Sequence, residues 1–275
     1  MTPPMGGRIP SAGEVARLLR QRVEMGGGDV FLDGRTREQA LDQIARALNA
    51  LHDDGHNGPG GPLASEGPMP DSKGTDRSGA GAPLVLPNAY DDLRKLALAC
   101  TRCGLASGRT HVVFSDGSPT ARLMVVGEAP GANEDASGVP FVGMAGQFLD
   151  LLLATVGLSR EDSVYIANVL KCRPPGNRDP QPNEIASCSP FLLKQIELVK
   201  PGALLAVGSF SARLLTGRDG VALGQLRGAV HRYHDVPLVV TYHPAALLRN
   251  RRWIRSFWDD LQLLRSILDT AQVSS

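Results

Sequence analysis

Short apolar runs alternate with longer stretches of helical spacing along the second two-thirds of this chain. Leu123 to Val126 is the short unbroken apolar run expected of a strand buried on both faces, read as extending to Glu128, and Met144 to Val156 repeats its apolar residues with a helical period. The alternation continues with a strand at Val164–Leu170, a helix at Asn183–Val199, a strand at Ala203–Gly208 and a short helix at Ser209–Leu215. Strands at Ala229–Tyr233 and Pro237–Tyr242 and a long helix at Arg252–Leu268 close the chain, and a short helix at Asn88–Cys100 precedes the first strand. Strands alternating with helices predict an α/β fold in which a parallel sheet is covered on both faces.

The pattern changes before Leu86. Residues 1–52 form an appendage with two stretches of helical spacing, Glu14–Val23 and Thr36–Leu51, joined by Gly26, Gly27 and Gly28. Residues 53–85 turn to Gly, Pro, Ser and Asp and hold few large apolar residues, too few to offset the entropy of ordering, so they read as a flexible linker. Residues 86–275 are the expected compact domain.

A chain of 275 residues with 42% hydrophobic composition supports one or two domains with a sizeable core. No stretch approaches the roughly 18 apolar residues of a membrane span. The N-terminus lacks the apolar middle of a secretory signal, so a cytoplasmic monomer is expected. Net charge is +1, split as −2 over residues 1–85 (9 Lys/Arg, 11 Asp/Glu) and +3 over the remainder (20 and 17). Nucleic-acid contacts would therefore have to come from a local cluster, and Arg249, Arg251, Arg252 and Arg255 are the densest.

Chemistry concentrates where strands end. The first strand runs into Gly127-Glu128-Ala129 and a loop carrying Pro130, Gly131, Gly138 and one aromatic residue, Phe141. The second strand delivers Asn168 and the last delivers His243. Parallel strands point their carboxyl ends the same way, so a carboxylate, an amide and an imidazole are expected to converge on one crevice.

All four cysteines follow the spacing C-x2-C-x68-C-x15-C: Cys100, Cys103, Cys172 and Cys188. A close pair on a turn with two later thiols suits one four-thiolate centre, either an iron-sulfur cluster or a structural zinc, and spacing alone does not choose between them.

The segments GEAPGANEDASGVPFVG, IANVLKCRPPGNRDPQPNE and HPAALLR, in that order and with that cysteine spacing, closely resemble the family 4 uracil-DNA glycosylases that carry a 4Fe-4S cluster. The resemblance covers residues 86–270. It implies an α/β/α sandwich around a central, mainly parallel four-stranded sheet, a 4Fe-4S cluster on Cys100, Cys103, Cys172 and Cys188, and a uracil pocket built from Gly127, Glu128, Ala129, Phe141, Asn168 and His243. Related family 5 enzymes have an apolar residue where Glu128 stands. The covalent uracil binders have Gln where Ala129 stands and a basic insertion ending in His, and this chain has neither feature.

These implied roles agree with the residues' chemistry. Uracil must leave the duplex to be reached. Phe141 suits a stacking wall for the flipped base, and the Asn168 amide can accept from uracil N3–H while donating to O4, a pattern cytosine reverses. His243 would hydrogen-bond O2 of the departing uracil, with Glu128 positioning water or base. Leu247 and Leu248 are expected to fill the gap left in the DNA, beside phosphate contacts from Arg249, Arg251 and Arg252. The partner is uracil-containing DNA, single- or double-stranded. The alternative is an iron-sulfur nucleic-acid binding protein of the same fold that captures a base without cleaving it.

Overall fold

The structure, a computed structural model, describes residues 84–273; the appendage and nearly all of the linker expected upstream lie outside the described residues. Leu84 and Leu86 both rest on a small cluster of Leu93, Ala97, Phe114 and Phe191, because these two apolar residues end the polar tract.

In chain order the elements are α1 (Tyr90–Leu98), β1 (Asp116–Gly117), β2 (Leu123–Gly127), α2 (Ala132–Ser137), α3 (Met144–Ala154), β3 (Val164–Asn168) and α4 (Pro182–Val199). They continue with β4 (Ala203–Val207), α5 (Ser209–Thr216), α6 (Leu223–Leu226), β5 (Val230–Tyr233), β6 (Val236–Thr241), α7 (Pro244–Arg249) and α8 (Trp253–Val273). The sheet order is β1-β3-β2-β4-β6-β5. Its middle four strands are parallel, as expected, and antiparallel β1 and β5 close the two edges, so the sheet has six strands and not four. β1 has two residues, too short to leave an apolar period in the sequence.

Side chains alternate across the sheet with the period of two that a strand imposes. Leu123, Val125, Ile166, Leu205 and Val239 face one layer, packing with Phe148, Leu149 and Leu152 of α3 and Phe257, Leu261 and Leu264 of α8. Met124, Val126, Tyr165, Leu204 and Val240 face the other, against Leu192 and Ile196 of α4 and Leu215 of α5. Both faces are buried, which is why β2, β3 and β4 read as continuous apolar runs. Each fully buried Leu of α3 contributes about 1.5–3 kcal/mol relative to exposure. Among the described residues no helix is long and apolar enough to cross a membrane.

The register places the site. Gly127 pairs with Asn168 and Val207 with Thr241, so the central strands end level. The chain order switches direction between β2 and β4, and the crevice beyond such a switch point is where open parallel sheets hold ligands.

Candidate functional site

A cavity of about 290 Å³ opens at those strand ends, with Glu128, Ala129, Phe141, Asn168 and His243 in its wall. Gly127 stands against two of these wall residues, Asn168 and Phe141. A Cβ there would lie 2.3 Å from Asn168 Oδ1 and 2.5 Å from Phe141 Cζ, so only a hydrogen on the α-carbon lets the amide and the ring close over the backbone.

Asn168 is 2% exposed and its Oδ1 has no hydrogen-bond partner. A buried acceptor left unpaired costs about 1–3 kcal/mol, so this oxygen marks a place where a ligand donor belongs. Its backbone is fixed from below by Lys171 Nζ, which donates to Asn168 O at 2.8 Å and to Gln195 Oε1 at 2.5 Å.

Phe141 stacks on His243, centroids 5.6 Å apart and planes 29° from parallel. Its backbone sits at φ +55°, a conformation that costs a non-glycine residue about 1–3 kcal/mol and persists only when neighbours enforce it. Two side chains do so. Glu134 accepts from the N–H groups of Val142 (2.9 Å), Gly143 (2.8 Å) and Gly131 (3.1 Å). Arg160 donates to Pro140 O and Phe141 O, both at 2.7 Å, while paired with Asp116 and Asp150. Gly146 completes the fit, because a Cβ there would meet Phe141 O at 1.8 Å.

His243 caps α7, and its Nδ1 accepts from the Ala245 N–H at 3.2 Å. In the neutral ring that leaves the proton on Nε2, a donor. Burial, with Arg249 adding to it, pulls the imidazole down to about 4, so the ring is neutral at physiological pH. Glu128 moves the other way. Burial and the nearby Asp179 raise its carboxyl to about 7. A carboxyl that titrates near neutrality and a neutral imidazole in the wall of one cavity are groups suited to proton handling.

At the end of the chain the structure separates residues that the sequence groups. Arg249, Arg251 and Arg252 are exposed, and Arg249 reaches the cavity wall. Leu247 is 0% exposed and belongs to the core against α3 and α8, with Leu248 partly buried beside it. The reason is helical period: Pro244 and Leu247 lie three apart on the inward side of α7, so Leu247 is not available to enter DNA.

The four cysteines line one separate cavity, Cys100 and Cys103 partly exposed, Cys172 and Cys188 buried, none in a disulfide. Arg109 donates to Cys172 Sγ (3.4 Å) and Cys100 O (2.6 Å), and the Lys171 N–H points at Cys188 Sγ (3.2 Å). Burial pushes the Cys188 thiol up to about 12 and raises Cys172, so these sulfurs would ionise only toward a strong cationic centre. Among the described residues no three His, Cys, Asp or Glu side chains converge as a single metal ion requires.

Glu134 and Arg160 were not legible as site residues. Glu134 had a weak signal, three residues after Gly131 as in a capping box; Arg160 had none, since its partners lie 10 to 44 residues away.

Residues 114–262 match the family model described as the uracil DNA glycosylase superfamily. Among curated proteins, the chain is 44% identical over 153 residues to the Type-4 uracil-DNA glycosylase of Thermotoga maritima, covering 55% of this chain and 79% of that one. It is 42% identical over 178 residues to the Type-4 enzyme of Pyrobaculum aerophilum (62% and 90%) and 41% identical over 167 residues to that of Archaeoglobus fulgidus (58% and 83%).

Proposed function

This chain belongs to the uracil DNA glycosylase superfamily, and from that premise we propose that it excises uracil from DNA by hydrolysing the bond between the base and the deoxyribose. The observation that carries the base assignment is the buried, unpaired Asn168 Oδ1. Uracil N3–H supplies the missing donor and uracil O4 accepts from the amide nitrogen; cytosine, with an acceptor at N3 and donors at C4, leaves both groups mismatched. Polar discrimination of this kind reaches about 10⁴.

The flipped base lies against Phe141, with Gly127 giving it close approach to the backbone. As the C1′–N1 bond breaks, its electron pair passes to the uracil ring and negative charge builds at O2. Neutral His243 donates from Nε2 to that oxygen, a stabilisation worth about 10²–10³ in rate. Water adds to C1′, its proton passes to Glu128 in its carboxylate form and from there, directly or through water, to the uracil anion, leaving free uracil, an abasic site and Glu128 again a carboxylate. Arg249 at the cavity wall and the exposed Arg251 and Arg252 that follow it in the chain supply phosphate contacts.

Cys100, Cys103, Cys172 and Cys188 are the residues that would hold a 4Fe-4S cluster. All four thiols line one cavity, and a 4Fe-4S cluster would take one thiolate on each iron. When bound, the cluster supplies a cross-link between the segment after α1, the segment after β3 and α4, and hydrolysis needs no electron from it.

The test is single-turnover excision from oligonucleotides carrying uracil opposite G, opposite A and in single strands, with cytosine as control. Release of free uracil is expected. Tight binding of uracil DNA without release would instead establish a capture protein.

A further inference from the structure

Tyr242 immediately precedes His243, and its ring is gripped on both faces. The Trp253 indole stacks on it with centroids 4.6 Å apart and planes 11° from parallel, which occupies one face. The Arg227 guanidinium carbon lies 4.9 Å from the ring centroid and takes the other.

Both jaws are anchored to one element. Trp253 opens α8. Arg227 is fastened to the next two turns of the same helix: its Nε and Nη2 donate to Asp260 Oδ2 at 3.1 and 2.9 Å, and Nη2 also donates to Ser256 O. Asp260 is 1% exposed and accepts in addition from the Gly228 N–H at 3.1 Å. Charge-assisted bonds to a buried carboxylate leave the guanidinium little freedom.

The strand needs such a brace. β6 ends at Thr241 and α7 starts at Pro244, so the two residues between them, Tyr242 and His243, have no sheet ladder to orient them. On its other side α8 follows directly from the exposed Arg251 and Arg252.

We propose that Tyr242 is a positioning residue: its ring, clamped between Trp253 and Arg227, sets the backbone of His243 so that Nε2–H meets the leaving base, and ties that placement to the arginine-bearing turn before Trp253. This rests on the reading of His243 as donor to the departing uracil.

The experiment compares full-length Tyr242→Ala, Tyr242→Phe, Trp253→Leu and His243→Ala in single-turnover excision of uracil and of 5-fluorouracil, whose anion leaves more readily and leans less on a donor. Tyr242→Ala and Trp253→Leu should each lose about tenfold to a hundredfold on uracil, less on 5-fluorouracil, with binding of uracil DNA little changed. Tyr242→Phe should restore most of the rate, because the clamp uses the ring and not the hydroxyl. An equal loss on both bases, or no loss in a folded Tyr242→Ala or Trp253→Leu protein, overturns the positioning role. If Tyr242→Ala does not fold, Trp253→Leu decides, since Trp253 is partly exposed and opens its helix. If His243→Ala itself shows no preference for the better leaving group, it is the donor reading that fails, whatever Tyr242 does.

Discussion

Gly127 and Asn168 stand side by side at the ends of β2 and β3, so close that a Cβ on Gly127 would lie 2.3 Å from Asn168 Oδ1. Both groups that would be struck, the amide and the Phe141 ring, face the cavity, so Gly127→Ala should disturb the pocket before it disturbs the core. Overpacking costs about 1–3 kcal/mol, and misplacing reactive groups by about 1 Å costs about 10² in rate. Single-turnover excision is expected to fall about a hundredfold while melting drops only modestly. Parent-like excision by the alanine variant would show that the amide and ring are not the base-binding walls.

How much of this was legible follows from what each residue does locally. Strand ends announced Gly127, Asn168 and His243, because a parallel sheet gathers its carboxyl ends and apolar runs reveal where they stop. The positive φ of Phe141 was hidden, since it is imposed by Glu134 and Arg160 from other segments and not by any propensity of phenylalanine. Leu247 was misplaced for the opposite reason. Nearness to His243 in sequence suggested a shared role, while the helical period of α7 sends Leu247 into the core.

Titration should separate the two groups proposed to act in catalysis. The Glu128 carboxylate is the form that takes a proton from water, and burial with Asp179 raises this group to about 7, so the single-turnover rate should climb with pH through about 7 and then level. His243, held down to about 4, stays neutral over that range and adds no second inflection. The same shift has a stability sign. The folded protein holds the Glu128 proton more tightly than the unfolded chain, so the stability it contributes is fully present below 4.5 and lost as pH rises through 7. Glu128→Gln should therefore melt higher than the parent well above pH 7, show no advantage near 4.5, and lose the inflection in rate. A parent profile flat through 7 would remove Glu128 from the proton transfer.

The four-cysteine cavity makes a prediction that does not depend on catalysis. Protein purified anaerobically should be brown, with the broad visible absorption of a 4Fe-4S cluster, and Cys172→Ser or Cys188→Ser should lose iron and melting temperature together. Both thiols are buried, and burial holds them in the neutral form without a cluster. A colourless preparation with one zinc per chain would reject the iron-sulfur assignment, and unchanged iron in either variant would reject that ligand.

In the proposed pose Asn168 and His243 touch different parts of the base, and their removal should leave different signatures. Asn168 reads the edge that distinguishes uracil from cytosine, so Asn168→Asp should weaken uracil excision and erode the preference over cytosine, because an ionised carboxylate accepts from N3–H but cannot donate to O4. Its buried Oδ1 already lacks a partner, so the substitution puts a charge beside an unpaired acceptor. His243 acts on charge that exists only as the bond breaks, so His243→Ala should lower the single-turnover rate by about 10² or more while affinity for uracil DNA changes little. Binding and rate measured on the same oligonucleotides separate the cases. An affinity loss without a rate loss in His243→Ala, or undiminished uracil excision and discrimination in Asn168→Asp, would mean that the base lies in this cavity in a different orientation from the one that Gly127, Phe141 and the unpaired amide oxygen define.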